Sequence, residues 1–137
     1  MLQFRLVLES GFLKQRISTL TERQIDELEK LNVDCQNDDS TPFEHWAANE
    51  NFHLKLMSFW HNEYALQELR LTMNRLTRAY AQFYWNSNRD VLLSHDTEHH
   101  TDILDSLRKK DAATAIEFIS QDLHNFGGFE DFFRQAR

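Results

Sequence analysis

Apolar residues recur every three or four positions along almost the whole chain, and little interrupts them. That period marks amphipathic helix, whereas a half-buried strand alternates every two residues. The 137 residues include only three glycines and one proline. That is too few turn residues for a sandwich or barrel of many short strands. The length suits a single domain, expected over residues 1–137. A domain of this size buries roughly two-thirds of the surface its unfolded chain exposes. It therefore needs neither a disulfide nor a structural metal merely to fold. The expected fold class is all-α, an antiparallel bundle of about six helices.

The segments follow from the punctuation. Leu2 to Ile17 is apolar-rich and helix-compatible, with Gly11 as a weak point. A capping box at Thr19 and Glu22, or at Thr21 and Gln24, predicts a second helix bearing Ile25, Leu28 and Leu31. Asn32 to Ser40 is polar and reads as a loop. Thr41, Pro42 and Glu44 stand as N-cap, N1 and N3 of a third helix carrying Trp46, Leu54, Met57 and Trp60. His61-Asn62 reads as a break before a long helix that reaches about Trp85. A further helix holds Leu93, Ile103, Leu104 and Leu107. Asp111 caps a last long one that ends at Gly127-Gly128, with a short terminal helix over 129–136.

The formal net charge of −7 narrows the partners. Gripping phosphate requires clustered Lys and Arg, and the chain has no basic block. The same balance argues against an anionic membrane surface. Cys35 is the single cysteine, which excludes an internal disulfide and suggests a reducing compartment. No apolar run approaches the about 20 residues that span a bilayer. Cytoplasm is the expected location.

Some polar residues fall where the helical period asks for apolar ones. His100 lies at the centre of the stripe made by Leu93, Ile103, Leu104 and Leu107, with Asp96 one turn earlier. Asp122 lies beside Ile119, Leu123 and Phe126. Asn49 and His53, spaced i, i+4, project together from the third helix. A buried, unpaired carboxylate costs several kcal/mol, so such groups are paired or bind a metal. Imidazole and carboxylate together suit Zn, Ni, Mn or Fe(II). A hydrogen-bonded core histidine is the commoner fate of any one of them taken singly. His45, His61, His95, His99 and His124 are expected at the surface or in loops.

Other chemistry finds less support. A ferritin-like di-metal bundle needs two Glu-x-x-His pairs, and the chain does not supply two. His95-Asp96 is an adjacent His-Asp doublet of the kind found in metal-dependent phosphohydrolases, with His61 as its only reasonable upstream partner. There is no Gly-rich phosphate loop and no nucleophile elbow.

One ordered set of features is more specific. Arg5-Leu-Val-Leu-Glu9 is followed by Asn49-Glu-Asn-Phe52-His53-Leu-Lys-Leu56, then Asn62 and a long helix with Arg75. Glu98-His-His100-Thr-Asp-Ile103-Leu104, Leu107 and Asp111-Ala-Ala-Thr-Ala115 complete it. In this order they resemble the FCD domain, the C-terminal effector-binding domain of FadR-subfamily GntR transcription regulators. The resemblance runs from about Leu2 to Phe126.

That resemblance implies a helical bundle enclosing a ligand cavity, with no catalytic activity. Many members hold a divalent metal with an Asp, the His of the F-H motif, the His of the E-H motif and a His on the last helix. The corresponding residues here are Asn49, His53, His100 and Asp122, so two of the four positions depart from the pattern. Two arrangements are open. Either His53, His100 and Asp122 hold Zn, Ni or Mn with Asn49 as a fourth or outer group, or metal binding is lost and Asp122 pairs with His100. Arg5 and Arg75 match positions that can face the effector, expected to be a small carboxylate metabolite. The family also implies a homodimer, and contact with DNA through an N-terminal winged helix-turn-helix domain that is expected to be absent from residues 1–137. The competing classes are a His-Asp-type phosphohydrolase and a ligand-free structural dimerisation bundle.

Overall fold

The computed structural model describes residues 2–37, 39, 42–87 and 99–124. Six helices follow in order: α1 (Leu2–Arg16), α2 (Glu22–Cys35), α3 (Pro42–Ser58), α4 (Glu63–Ser87), α5 (His100–Arg108) and α6 (Ala112–His124). A short 3-10 turn, Ile17–Thr19, joins α1 to α2. No strand occurs among the described residues, so the all-helical expectation holds. None of these helices is long and apolar enough to cross a membrane.

The helix boundaries have local causes. Thr21, not Thr19, caps α2: its side chain accepts from the Gln24 amide, and Gln24 returns the bond to the Thr21 amide. Between α3 and α4, His61 takes a left-handed φ of 58°. Asn62 then accepts from the Ala65 amide at 3.1 Å and starts α4. Lys110 repeats the left-handed turn after α5. The Asp111 amide donates back to the Ser106 carbonyl at 3.0 Å, closing the end of α5. Asp111 in turn caps α6 by accepting from the Thr114 amide and hydroxyl.

The loop expected from Asn32 begins later. α2 runs to Cys35, because Asn32 and Cys35 continue the buried face set by Ile25 and Leu28. Asn32 is polar yet tolerated there, since its amide donates to Thr101 and its carbonyl accepts from Gln36. His45, expected at the surface, is buried beside Trp46 in the chain. Gly11 does not interrupt α1, and nothing crowds the position. The Thr41 cap, Leu93, His95, Asp96, Gly127-Gly128 and the short terminal helix lie outside the described residues.

Packing places α2 against α3 and α5, α6 against α1 and α5, and α4 against α3. One core runs through the described helices, with Phe12, Leu13, Trp46, Phe52, Leu69, Leu107 and Ile119 all buried. Arg108 ties the outside of α5 to Glu22, Asp26 and Glu29 of α2. Such exposed pairs contribute at most about 1 kcal/mol each. The core therefore carries the fold, and it brings the inward faces of α1, α3, α5 and α6 together.

Candidate metal centre

Each of those four helices interrupts its apolar stripe with polar side chains. On α1 the stripe Arg5, Glu9, Phe12, Leu13 follows i, i+4, i+7, i+8. On α3, Asn49 and His53 stand among Trp46, Phe52, Leu56 and Met57. On α5, His100 precedes Ile103, Leu104 and Leu107, and on α6 Asp122 follows Ala115 and Ile119. These six polar residues are at most 3% exposed. Packing turns these positions inward, and the polar and charged groups they carry must be answered there.

The answer is mutual. His53 Nε2 lies 2.9 Å from Asp122 Oδ2, and His100 Nε2 lies 3.3 Å from the same oxygen. His53 Nδ1 contacts Glu9 Oε1. Arg5 Nε stands 3.7 Å from the other Glu9 oxygen. Phe52 stacks on His100, with ring centroids 4.0 Å apart and planes at 10°. The two imidazoles meet edge to face at 5.3 Å. Packing thus fixes both rings before any ligand is considered.

Electrostatics separates the two histidines. Burial opposes charge on His53, but Glu9 and Asp122 outweigh it and raise its pKa to about 9. His53 therefore carries a proton on each nitrogen near neutral pH and donates to both carboxylates. Burial lowers His100, and the pull of Asp122 does not compensate. Asp122 is also opposed by burial, yet His100 and His53 hold its carboxyl well below the usual carboxylate range. Burial raises Glu50 on α3, partly offset by a hydrogen bond from Thr77 and by the charges of Arg5 and His53.

The donor set suits a divalent cation. One ligand atom each from His53, His100 and Asp122 lie within 4.8 Å of one another. Tetrahedral ligand bonds of about 2.0–2.2 Å set donor atoms about 3.3–3.6 Å apart, so a widest pair near the outer limit would close by about 1 Å to share one ion. Buried acceptors that lack a hydrogen-bond partner include Asp122 Oδ1 and Asn49 Oδ1. Asn49 stands one turn before His53 on α3. One of these acceptors lies on the helix of His53 and the other on the carboxylate of the triad itself, where a cation would satisfy them.

The expected site residues divide accordingly. His53, His100 and Asp122 meet, Asn49 lies buried one turn away, and Arg5 is buried beside Glu9. Arg75 is exposed on α4 and does not join this cluster. The His-Asp doublet at His95 lies outside the described residues, and its proposed partner His61 is exposed. A surface groove of about 310 Å³ between α2 and α3 is lined by residues such as Asp34 and Glu44, away from the cluster. Glu9 was a motif residue without a role. Its i, i+4 spacing from Arg5 on the stripe of Phe12 and Leu13 is the signal that marks it.

The order of these helices and side chains can be compared with known proteins. No curated protein and no solved structure shows significant similarity to the chain. The model of one family, the FCD domain, matches residues 1–125. That stretch contains all six polar residues of the buried cluster and nearly the whole helical bundle. The chain belongs to the FCD domain family, the effector-binding domains of GntR-type transcription regulators.

Proposed function

We propose that this domain senses a small organic acid through a divalent metal held by His53, His100 and Asp122, with Asn49 as a fourth or outer group. Zn, Ni and Mn are the cations that this mixed imidazole and carboxylate set suits. The reading is carried by one observation: three ligand side chains converge in the core while neighbouring acceptors remain unsatisfied. A bound metal would supply a Lewis-acidic anchor for an effector carboxylate. Arg5 is the nearby cation, and its Nε and Nη2 lack hydrogen-bond partners. A carboxylate is the group such a guanidinium recognises best. Arg75 would contribute only from a face outside this cluster.

The burial of the cluster bears on regulation. An effector reaching it must part helices, and it would favour the parted arrangement over the closed one. That difference in affinity is what a sensor transmits. We assign the output to DNA binding by a winged-helix domain attached to a homodimer of such domains in the cytoplasm.

Calorimetric titration with Zn, Ni and Mn tests the reading. Binding in the native protein that disappears in His53→Ala supports it. No heat with any of the three metals sinks it and leaves the buried ion network as the cluster's role. A second expectation concerns the departure at Asn49. Asn49→Asp adds a carboxylate one turn before His53. It should raise metal affinity at least about tenfold, while lowering metal-free stability by several kcal/mol for the buried charge. Equal affinity in Asn49→Asp and the native protein would remove Asn49 from the site.

A further inference from the structure

An imidazole offers two nitrogens, and a metal takes one of them. Which one is available depends on what holds the other. In His53 the two ends are distinct. Nε2 faces Asp122 Oδ2, toward His100, and Nδ1 contacts Glu9 Oε1 from the opposite side of the ring. Glu9 is fully buried, on α1, a helix that gives no ligand to the cluster.

We infer that Glu9 is the positioning residue of the centre: its carboxylate accepts the Nδ1 proton of His53 and so presents Nε2 to Asp122 and His100. Three observations carry this. The contact is buried on both sides, so water does not compete for the Nδ1 proton. Glu9 lies at the far nitrogen from Asp122, which excludes it from the ligand triad and gives it a separate task. Its second oxygen stands 3.7 Å from Arg5 Nε, so Arg5 and His53 share one carboxylate. Glu9 thereby orients an imidazole with one oxygen and restrains a guanidinium with the other.

The consequence for metal affinity rests on the metal reading above, but the hydrogen bond does not. The experiment therefore has two arms. In the first, metal-free protein with nitrogen-15 histidine is followed by NMR at pH 7. The native protein should show a downfield, slowly exchanging His53 Nδ1 proton. Glu9→Ala should lose that protection, with circular dichroism confirming that it stays helical. Glu9→Gln keeps the volume and an amide oxygen, and should retain a weaker version of the signal. An unprotected Nδ1 proton in the native protein, or equal protection in Glu9→Ala, overturns the inference.

In the second arm the same three proteins are titrated with zinc. Loss of such an outer carboxylate weakens metal binding about 10–100-fold. Glu9→Ala should fall in that range, and Glu9→Gln between it and the native protein. If the native protein binds zinc and Glu9→Ala binds equally well, the positioning role is overturned while the metal reading stands. If the native protein takes no zinc but shows the Glu9-dependent Nδ1 proton, the metal reading fails and the placement of His53 by Glu9 is upheld.

Discussion

Asp122→Ala is expected to destabilise the metal-free domain by about 3–5 kcal/mol, the cost of breaking a buried ion pair from one side. Asp122 Oδ2 receives both Nε2 atoms, from His53 at 2.9 Å and from His100 at 3.3 Å. Removing the carboxylate leaves two buried imidazole donors with no acceptor on that side. It also leaves the charge of His53 answered by Glu9 alone. A domain of this kind is stable by only about 5–15 kcal/mol, so the loss takes a large share of the total. Urea unfolding of the metal-free protein reads the effect directly. Zinc should also cease to raise the unfolding midpoint of the variant, because the triad's one carboxylate is gone. Asp122→Asn keeps the volume and an acceptor oxygen. Its smaller loss of stability would isolate the contribution of charge. A cost below about 1 kcal/mol, with zinc stabilisation intact, would show that Asp122 is neither a ligand nor the hub of the network.

The sequence made some of this cluster visible and hid the rest, for identifiable reasons. His100 and Asp122 stood out because each occupies a core position on a helix with a clean apolar stripe. Asn49 and His53 were legible from their i, i+4 spacing and from the F-H motif that His53 completes. Glu9 was not, because α1 carries apolar residues on several faces and its stripe is poorly separated. Val7 and Phe4 are exposed there, while Arg5 and Glu9 are buried. Composition along such a helix does not say which face turns inward. Packing against α6 decides it. The end of α2 was hidden in the same way. Asn32 reads as a loop residue until Thr101 and Gln36 satisfy its amide. The all-helical class needed no such tertiary information, since three glycines and one proline leave few alternatives.

Metal affinity is expected to rise about tenfold per pH unit between pH 7 and 9, roughly 100-fold in all, and then to level off. The cause is the proton on His53 Nε2, which a metal must displace. In the metal-free protein Glu9 and Asp122 overcome burial and hold His53 at about 9, against an ordinary imidazole value near 6.5. The sign follows from that direction. A raised pKa stabilises the metal-free fold fully below about pH 6.5, and the contribution is lost as pH climbs through 9. That difference corresponds to about 3 kcal/mol. Binding thus becomes easier over the window in which the metal-free fold loses its internal ion pair. The other two ligands add little slope. Asp122 is held ionised far below this window, and His100, lowered by burial, is already neutral. Calorimetry with Ni in two buffers of different ionisation enthalpy should therefore count about one proton released per metal at pH 7.5. A chelator competition series should give the slope. A flat profile from pH 7 to 9 would mean that His53 carries no displaceable proton or that the metal binds elsewhere. His53→Ala separates the two, since a flat profile with unchanged affinity in that variant would move the metal away from this cluster altogether.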